Sequence, residues 1–226
     1  MKQATAWLGS IALALALTDA PKAQEVKPRA DAPEHRVGDE WRYRVQDIGN
    51  RRQPSEIHER VENISGSAVW VLGAEAGSPS YWKLLDAKTA RPLARHGYDV
   101  NAADQRGAKT RDESASDAEV QFPLELGKTY KIAERWINSG GHGTSDLKAT
   151  VVAIEKVKHQ AGEYDAFRIE ISGWWNAGSS SGKQQRTVWY APAAKSTVRR
   201  EHKDYNSSQL WNHNVSELLA FKPAPP

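Results

Sequence analysis

Residues 178–182, Gly178-Ser179-Ser180-Ser181-Gly182, spell the G-x-S-x-G of a serine-hydrolase elbow. That chemistry needs a strained strand-to-helix turn that exposes the serine, with a histidine base in reach. The residues that follow, Lys183 to Tyr190, read as a strand, so a hairpin loop is the expectation. The same loop ends in Gly182-Lys183 but is one residue short of a phosphate loop. Gln184 replaces its Ser or Thr, and no helix N-terminus follows to supply N–H donors. Gly140-Gly141-His142-Gly143, with Ser145 and Asp146, places a histidine in a turn without an orienting third group. The seven histidines (His35, His58, His96, His142, His159, His202 and His213) form no pair at metal-ligand spacing. His202 and His213 are the two that a hairpin would set on neighbouring strands. Glu163 and Asp165 flank a turn as solvated acids rather than as the facing carboxylates of a glycosidase. No catalytic residue, metal site or cofactor is assigned, and the reading leans away from an enzyme.

Tryptophan is what remains. The chain has nine Trp and seven Tyr against three Phe. Trp174 and Trp175 are adjacent, so in a strand they face opposite sides. Trp41, Trp70, Trp82, Trp136 and Trp189 also fall on expected strands. Exposed Trp beside polar groups stacks on sugar rings or grips an apolar ligand. The competing reading is that large aromatics fill the interior of a curved sheet. Trp174, Trp175, Trp189 and Tyr190 are the candidate ligand-binding residues.

The elements that must position them are strands. Phe167, Ile169 and Ile171 alternate with Arg168, Glu170 and Ser172, an apolar and a polar face. Ala161-Gly162-Glu163 supplies the turn before them. Val188-Trp189-Tyr190 stops before Pro192, which cannot donate to a central ladder. Trp41, Tyr43 and Val45 alternate in the same way, and no stripe of helical period occurs beyond the N-terminus. The expected fold is all-β, with about ten antiparallel strands in a curved sheet or barrel. Residues 24–35 read as a mobile leader, 36–221 as a single β domain and 222–226 as a frayed tail. Residues 101–117 lack apolar periodicity and read as a linker.

That linker separates two halves, 36–100 and 118–221, that carry a weak repeat. Val37-Gly38-Asp39-Glu40-Trp41 parallels Leu126-Gly127-Lys128-Thr129-Tyr130. Val61 with Gly66 parallels Val157 with Gly162, and Trp82 before Ala87-Lys88-Thr89 parallels Trp189 before Ala194-Lys195-Ser196. Two similar meanders, packed or closed together, are the expectation.

Lys2 precedes the apolar run Ile11 to Leu17, the pattern of a secretory signal peptide. Its apolar stretch of about 14 residues is shorter than the roughly 20 that a spanning helix needs. Cleavage after Ala20 or Ala23 fits the small-residue rule, which gives a leader of up to 23 residues and a periplasmic or secreted protein without a transmembrane segment in the mature chain. The absence of Cys excludes disulfides, thiolate metal sites and a lipid-modified N-terminal Cys. Net charge is +3 with Lys and Arg interspersed among acids, so no nucleic-acid footprint is present.

Phe122-Pro123-Leu124, Gly127-Lys128, Ala161-Gly162-Glu163-Tyr164-Asp165-Ala166, Trp189-Tyr190-Ala191-Pro192 and Glu217-Leu218 form an ordered series. It resembles the TapB-like family of exported bacterial proteins, a domain of unknown function, over about residues 120 to 221. The resemblance implies an all-β curved sheet or barrel and carries no catalytic residue with it. The family's lipoproteins would have an N-terminal Cys that this chain lacks.

Three functional readings follow. The first is a non-enzymatic module that binds an apolar or amphiphilic ligand or an envelope protein. The second is a hydrolase of envelope polysaccharide or ester, which needs converging carboxylates or a Ser and a His. The third is a carbohydrate-binding module, which needs coplanar exposed Trp. The first ranks highest because no catalytic set assembles.

Overall fold

A computed structural model describes residues 28–75, 80–97, 115–116, 118–138 and 141–225. The expected signal peptide with its cleavage positions, and the linker apart from 115–116, lie outside the described residues. Among the described residues there are fourteen strands: β1 Arg29–Ala30, β2 Glu40–Asp47, β3 Ser55–Ser65, β4 Ala68–Glu75, β5 Tyr81–Asp86, β6 Pro92–Gly97, β7 Ala115–Ser116, β8 Leu124–Glu125, β9 Thr129–Asn138, β10 Gly141–His159, β11 Gly162–Ala177, β12 Ser180–Ala191, β13 Ser196–Asn206 and β14 Gln209–Lys222. A 3-10 turn at Pro192–Ala194 separates β12 from β13. No helix among the described residues is long and apolar enough to cross a membrane.

Among the described residues, twelve strands form one sheet in the order β6-β5-β4-β3-β2-β14-β13-β12-β11-β10-β9-β7. Every described pairing is antiparallel, and the edge strands β6 and β7 do not meet. The fold is therefore an open curved all-β sheet rather than a closed barrel. Alternation makes these strands: in β12, Gly182, Gln184, Arg186, Val188 and Tyr190 are buried while the residues between them are not.

Strands β2–β6 and β9–β14 lie side by side, joined where β14 pairs with β2 from Asn214↔Asp47 to Lys222↔Glu40. They open alike. Gly38 N donates to Val61 O (2.8 Å) and Val61 N to Asp39 O (2.9 Å). Gly127 N donates to Val151 O (2.9 Å) and Val151 N to Lys128 O (2.9 Å). Both glycines have positive φ, 95° and 82°, a region that side-chain-bearing residues avoid. A register shift follows each valine, at Val61/Asn63 and Val151/Ala153. Hydrogen bonding thus matches Val61 with Val151. Counting back from the turn glycines matches it with Val157 instead, because β10 is longer than β3.

Two features differ from the sequence reading. Order begins before Val37: β1 pairs with β8 (Ala30↔Leu124), and Ala30 is buried against the core of the second half. The C-terminal tail is tied down, because Ala224 N donates to Asp39 Oδ1 at 2.9 Å. Asp39 is fully buried and also accepts Arg36 N (2.9 Å) and Lys195 Nζ (2.8 Å). A carboxylate with three donors holds together the start of β2, the turn before β13 and the tail.

Candidate functional site: the cavity on the inner face

In a flat sheet β5 and β12 would lie roughly 29 Å apart, six strand spacings. Here Lys83 and Leu85 of β5 share one cavity of about 630 Å³ with Arg186 and Tyr190 of β12. The sheet curls to bring its two wings over this space. Trp41, Val71, Leu85 and Phe122 supply the apolar wall. Trp41 is fixed at its base: Nε1 donates to Ala194 O (2.8 Å), the ring stacks on Phe221 (5.6 Å), and His35 meets it edge-on at 5.6 Å. Burial pulls the His35 pKa down against the pull of Asp39, which favours the neutral ring.

The polar wall is ionic and internally matched. Arg186 donates Nη1 to Glu134 Oε1 and Nη2 to Glu134 Oε2, each at 2.6 Å, and Nη1 to Glu119 Oε1 at 2.7 Å. Arg200 donates Nε and Nη2 to Glu119 at 2.8 and 2.7 Å. Burial pushes the Glu119 carboxyl upward, but Arg200 and Arg186 overcome it and hold its pKa at about 2. Across the cavity Lys83 pairs with Glu59, which also accepts Tyr81 Oη at 2.6 Å. Lys195 is bound to Asp39. Each cation on the wall therefore already has a carboxylate.

The cluster continues along the inner face towards the β11–β12 turn. Arg186 Nη2 donates to Gln184 Oε1 (2.8 Å), and Gln184 Nε2 donates to Asp204 Oδ1 (2.7 Å). His202 Nε2 lies 2.8 Å from the same oxygen, and Asn212 Nδ2 donates to Asp204 Oδ2 at 2.7 Å. Burial raises the Asp204 carboxyl, and His202, Asn212 and Gln184 outweigh it, leaving its pKa lowered. Among the described residues no group of three or more His, Cys, Asp or Glu is placed to hold a metal ion.

Residues 118–124 cover one side of the cavity as a strap. Besides the Glu119 ion pairs, Tyr130 Oη donates to Glu119 O (2.6 Å) and Lys128 Nζ to Pro123 O (2.7 Å). Phe122 rests edge-on against Tyr190, ring centres 5.0 Å apart. Tyr190 is 4% exposed, its hydroxyl has no hydrogen-bond partner among the described residues, and burial raises its pKa.

The four sequence candidates separate. Tyr190 faces the cavity. Trp189 is on the outer face, donating Nε1 to Glu155 Oε1 (2.5 Å) with Arg199 stacked 5.2 Å from its ring. Trp175 is on the inner face at the end of the sheet, 8% exposed, with Nε1 donating to Tyr205 O at 3.3 Å. Trp174 is on the outer face at that same end, 59% exposed. Ser180 and Ser181 lie on β12, opposite Ala177 and Asn176, in a strand-turn-strand hairpin. His202 and His213 are on neighbouring strands but turn to opposite faces, His213 to Glu201 at 2.8 Å. Glu163 and Asp165 pair with Lys156 at a solvated turn.

Sequence reasoning missed Trp41, Arg186, Glu119, Glu134 and Arg200 as a set. One signal was present: Arg186 is in phase with Val188 and Tyr190, on the face that alternation assigns to the interior.

No family model matches the chain, and no curated protein matches it. Solved structures do. One, from Bacteroides fragilis, is described as an exported protein with a YmcC-like fold: 14% identity, 85% of this chain and 99% of that chain, TM-score 0.55. Another, described as a lipoprotein of Parabacteroides distasonis, aligns at 12% identity over 85% of this chain and 99% of that one, TM-score 0.50. The fold is similar to the YmcC-like fold. At these identities the likeness concerns architecture, and one architecture hosts many functions.

Proposed function

We propose that the protein is an exported, extracytoplasmic β-domain that binds a small amphiphilic ligand in its inner-face cavity. The observation that carries this is the cavity itself. Its volume of about 630 Å³ falls within the range of small-molecule sites, roughly 300–1,000 Å³. An apolar chain packs against Trp41, Val71, Leu85 and Phe122. The ligand's polar end meets hydroxyls such as Ser196 and Thr197. A free charge on the ligand has no counter-ion there, because the wall's cations are already neutralised by Glu59, Glu119, Glu134 and Asp39. Of the four sequence candidates, Tyr190 belongs to this site.

Export is supported by the Lys2 to Leu17 pattern and by the descriptions of the structural neighbours as exported or as a lipoprotein. The TapB-like motif series supports the same grouping. Residues 36–221 are taken as one domain built of two meander halves.

Native mass spectrometry of the protein purified from its own envelope tests the reading. The expected result is a co-purifying amphiphile that is lost in Leu85→Arg, which fills the apolar wall. A bare mass for the wild type, with no uptake of added monoacylglycerol, would sink it.

A further inference from the structure

The end of the sheet that carries the β11–β12 and β13–β14 turns has its own surface chemistry. Asp146, Trp174, Lys183, Tyr205 and Leu210 are successive cross-strand partners over five strands. Direct partners share a face, so they form one row on the outer side. Trp174 is 59% and Leu210 42% exposed. On the inner side of the same end Trp211, 54% exposed, stands edge-on to Trp175 with ring centres 6.1 Å apart. The β2–β3 loop closes on this end, since Ile48 N and Gly49 N donate to His213 O at 2.8 and 3.2 Å. Ile48 is exposed there, followed by Arg51 and Arg52.

We propose that this end docks on a lipid bilayer surface, entering the headgroup layer end-on. Both faces of the sheet present Trp at the same height. A flat glycan or a partner sheet would cover one face and leave the other Trp in water, whereas the headgroup layer surrounds an inserted end. The Trp175 and Trp211 rings are inclined at 70°, which is not a coplanar sugar platform. Trp and Tyr concentrate at the headgroup level, where their rings are apolar and their N–H or O–H stays wet. Lys183, Arg51, Arg52 and Arg135 are cations at this end and Asp47 and Asp146 its carboxylates, with Arg52 Nε 3.8 Å from Asp47 Oδ2. Asp47 is engaged by Asn50 N and Nδ2 at 2.9 and 2.8 Å. These cations suit anionic headgroups. The opposite end differs: its β10–β11 turn is crowded with the ion pairs of Lys156 and Lys158 with Glu163 and Asp165.

The test is co-sedimentation with vesicles of phosphatidylcholine, alone or mixed with phosphatidylglycerol, read together with Trp emission. The expected result is binding to the mixed vesicles with a blue shift. Trp174→Ser combined with Trp211→Ser should weaken binding by about tenfold or more, since affinity follows the apolar area inserted. Both residues are exposed, so an unchanged circular dichroism spectrum and melting curve show that the variant folds. A retained N-terminal apolar stretch would bind vesicles without these residues, so a double variant that binds like wild type overturns the proposal. Binding to soluble oligosaccharide and to neither vesicle overturns it as well.

Discussion

Arg186 and Glu134 meet fork to fork on the inner face, both contacts at 2.6 Å, with side chains 6% and 13% exposed. A buried bidentate pair contributes little net stability compared with apolar residues of the same shape, but breaking it is costly.

Arg186→Ala should therefore destabilise the protein by about 3–5 kcal/mol, because Glu134 and Glu119 lose the cation between them. Arg186→Met with Glu134→Leu should cost less than Arg186→Ala alone. Urea unfolding of wild type and both variants checks this, and a loss in the double variant equal to or larger than that of Arg186→Ala would contradict it.

Glu119 sets a pH dependence. Its pKa is held at about 2 in the fold against an ordinary 4.5, so folding favours the charged form. Its contribution is fully present above about pH 4.5 and is lost as pH falls towards 2. It amounts to about 3 kcal/mol at most. Glu119→Gln should be less stable at pH 7 and show a flatter fall between pH 5 and 2. The check is the urea midpoint measured across that range; identical slopes for both proteins would refute it.

Asp39 ties three segments through one buried carboxylate. Asp39→Ala removes the acceptor of Arg36 N, Ala224 N and Lys195 Nζ. A loss of about 3 kcal/mol is expected, in the range for unpairing a buried charge. Release of the tail should show as faster trimming by carboxypeptidase and faster exchange of the Ala224 amide.

Gly182 is required by its surroundings. A Cβ there would lie 1.8 Å from Tyr205 O and 2.7 Å from the Trp175 ring. Gly182→Ala should cost about 1–3 kcal/mol through overpacking and shift Trp175. Thermal unfolding together with the indole amide chemical shift of Trp175 reads both effects.

Period-two alternation was legible residue by residue. Phe167, Ile169, Ile171, Val188 and Tyr190 are buried where the pattern puts them, and the turn glycines Gly66 and Gly162 have positive φ. An all-β antiparallel fold follows from such local facts, because side-chain direction in a strand depends only on neighbouring backbone. The expected repeat pairs Val61 with Val157 by spacing to a turn glycine, whereas contacts to Gly38 and Gly127 match Val61 with Val151.

What tertiary structure alone decided is which distant residues meet. β2 closes against β14 across most of the chain, and the curl brings Lys83 to the same cavity as Arg186. Glu119 reaches Arg186 and Arg200 from a strap that has no periodic signal of its own. Alternation says that Arg186 points inward, but not what waits there. The two Trp candidates at 174 and 175 divided between faces as their adjacency requires, yet the approach of Trp211 comes from another hairpin. Strand order and sheet curvature depend on bulges, strap packing and the burial of paired charges. Those are sums over long-range contacts, which no stretch of sequence contains by itself.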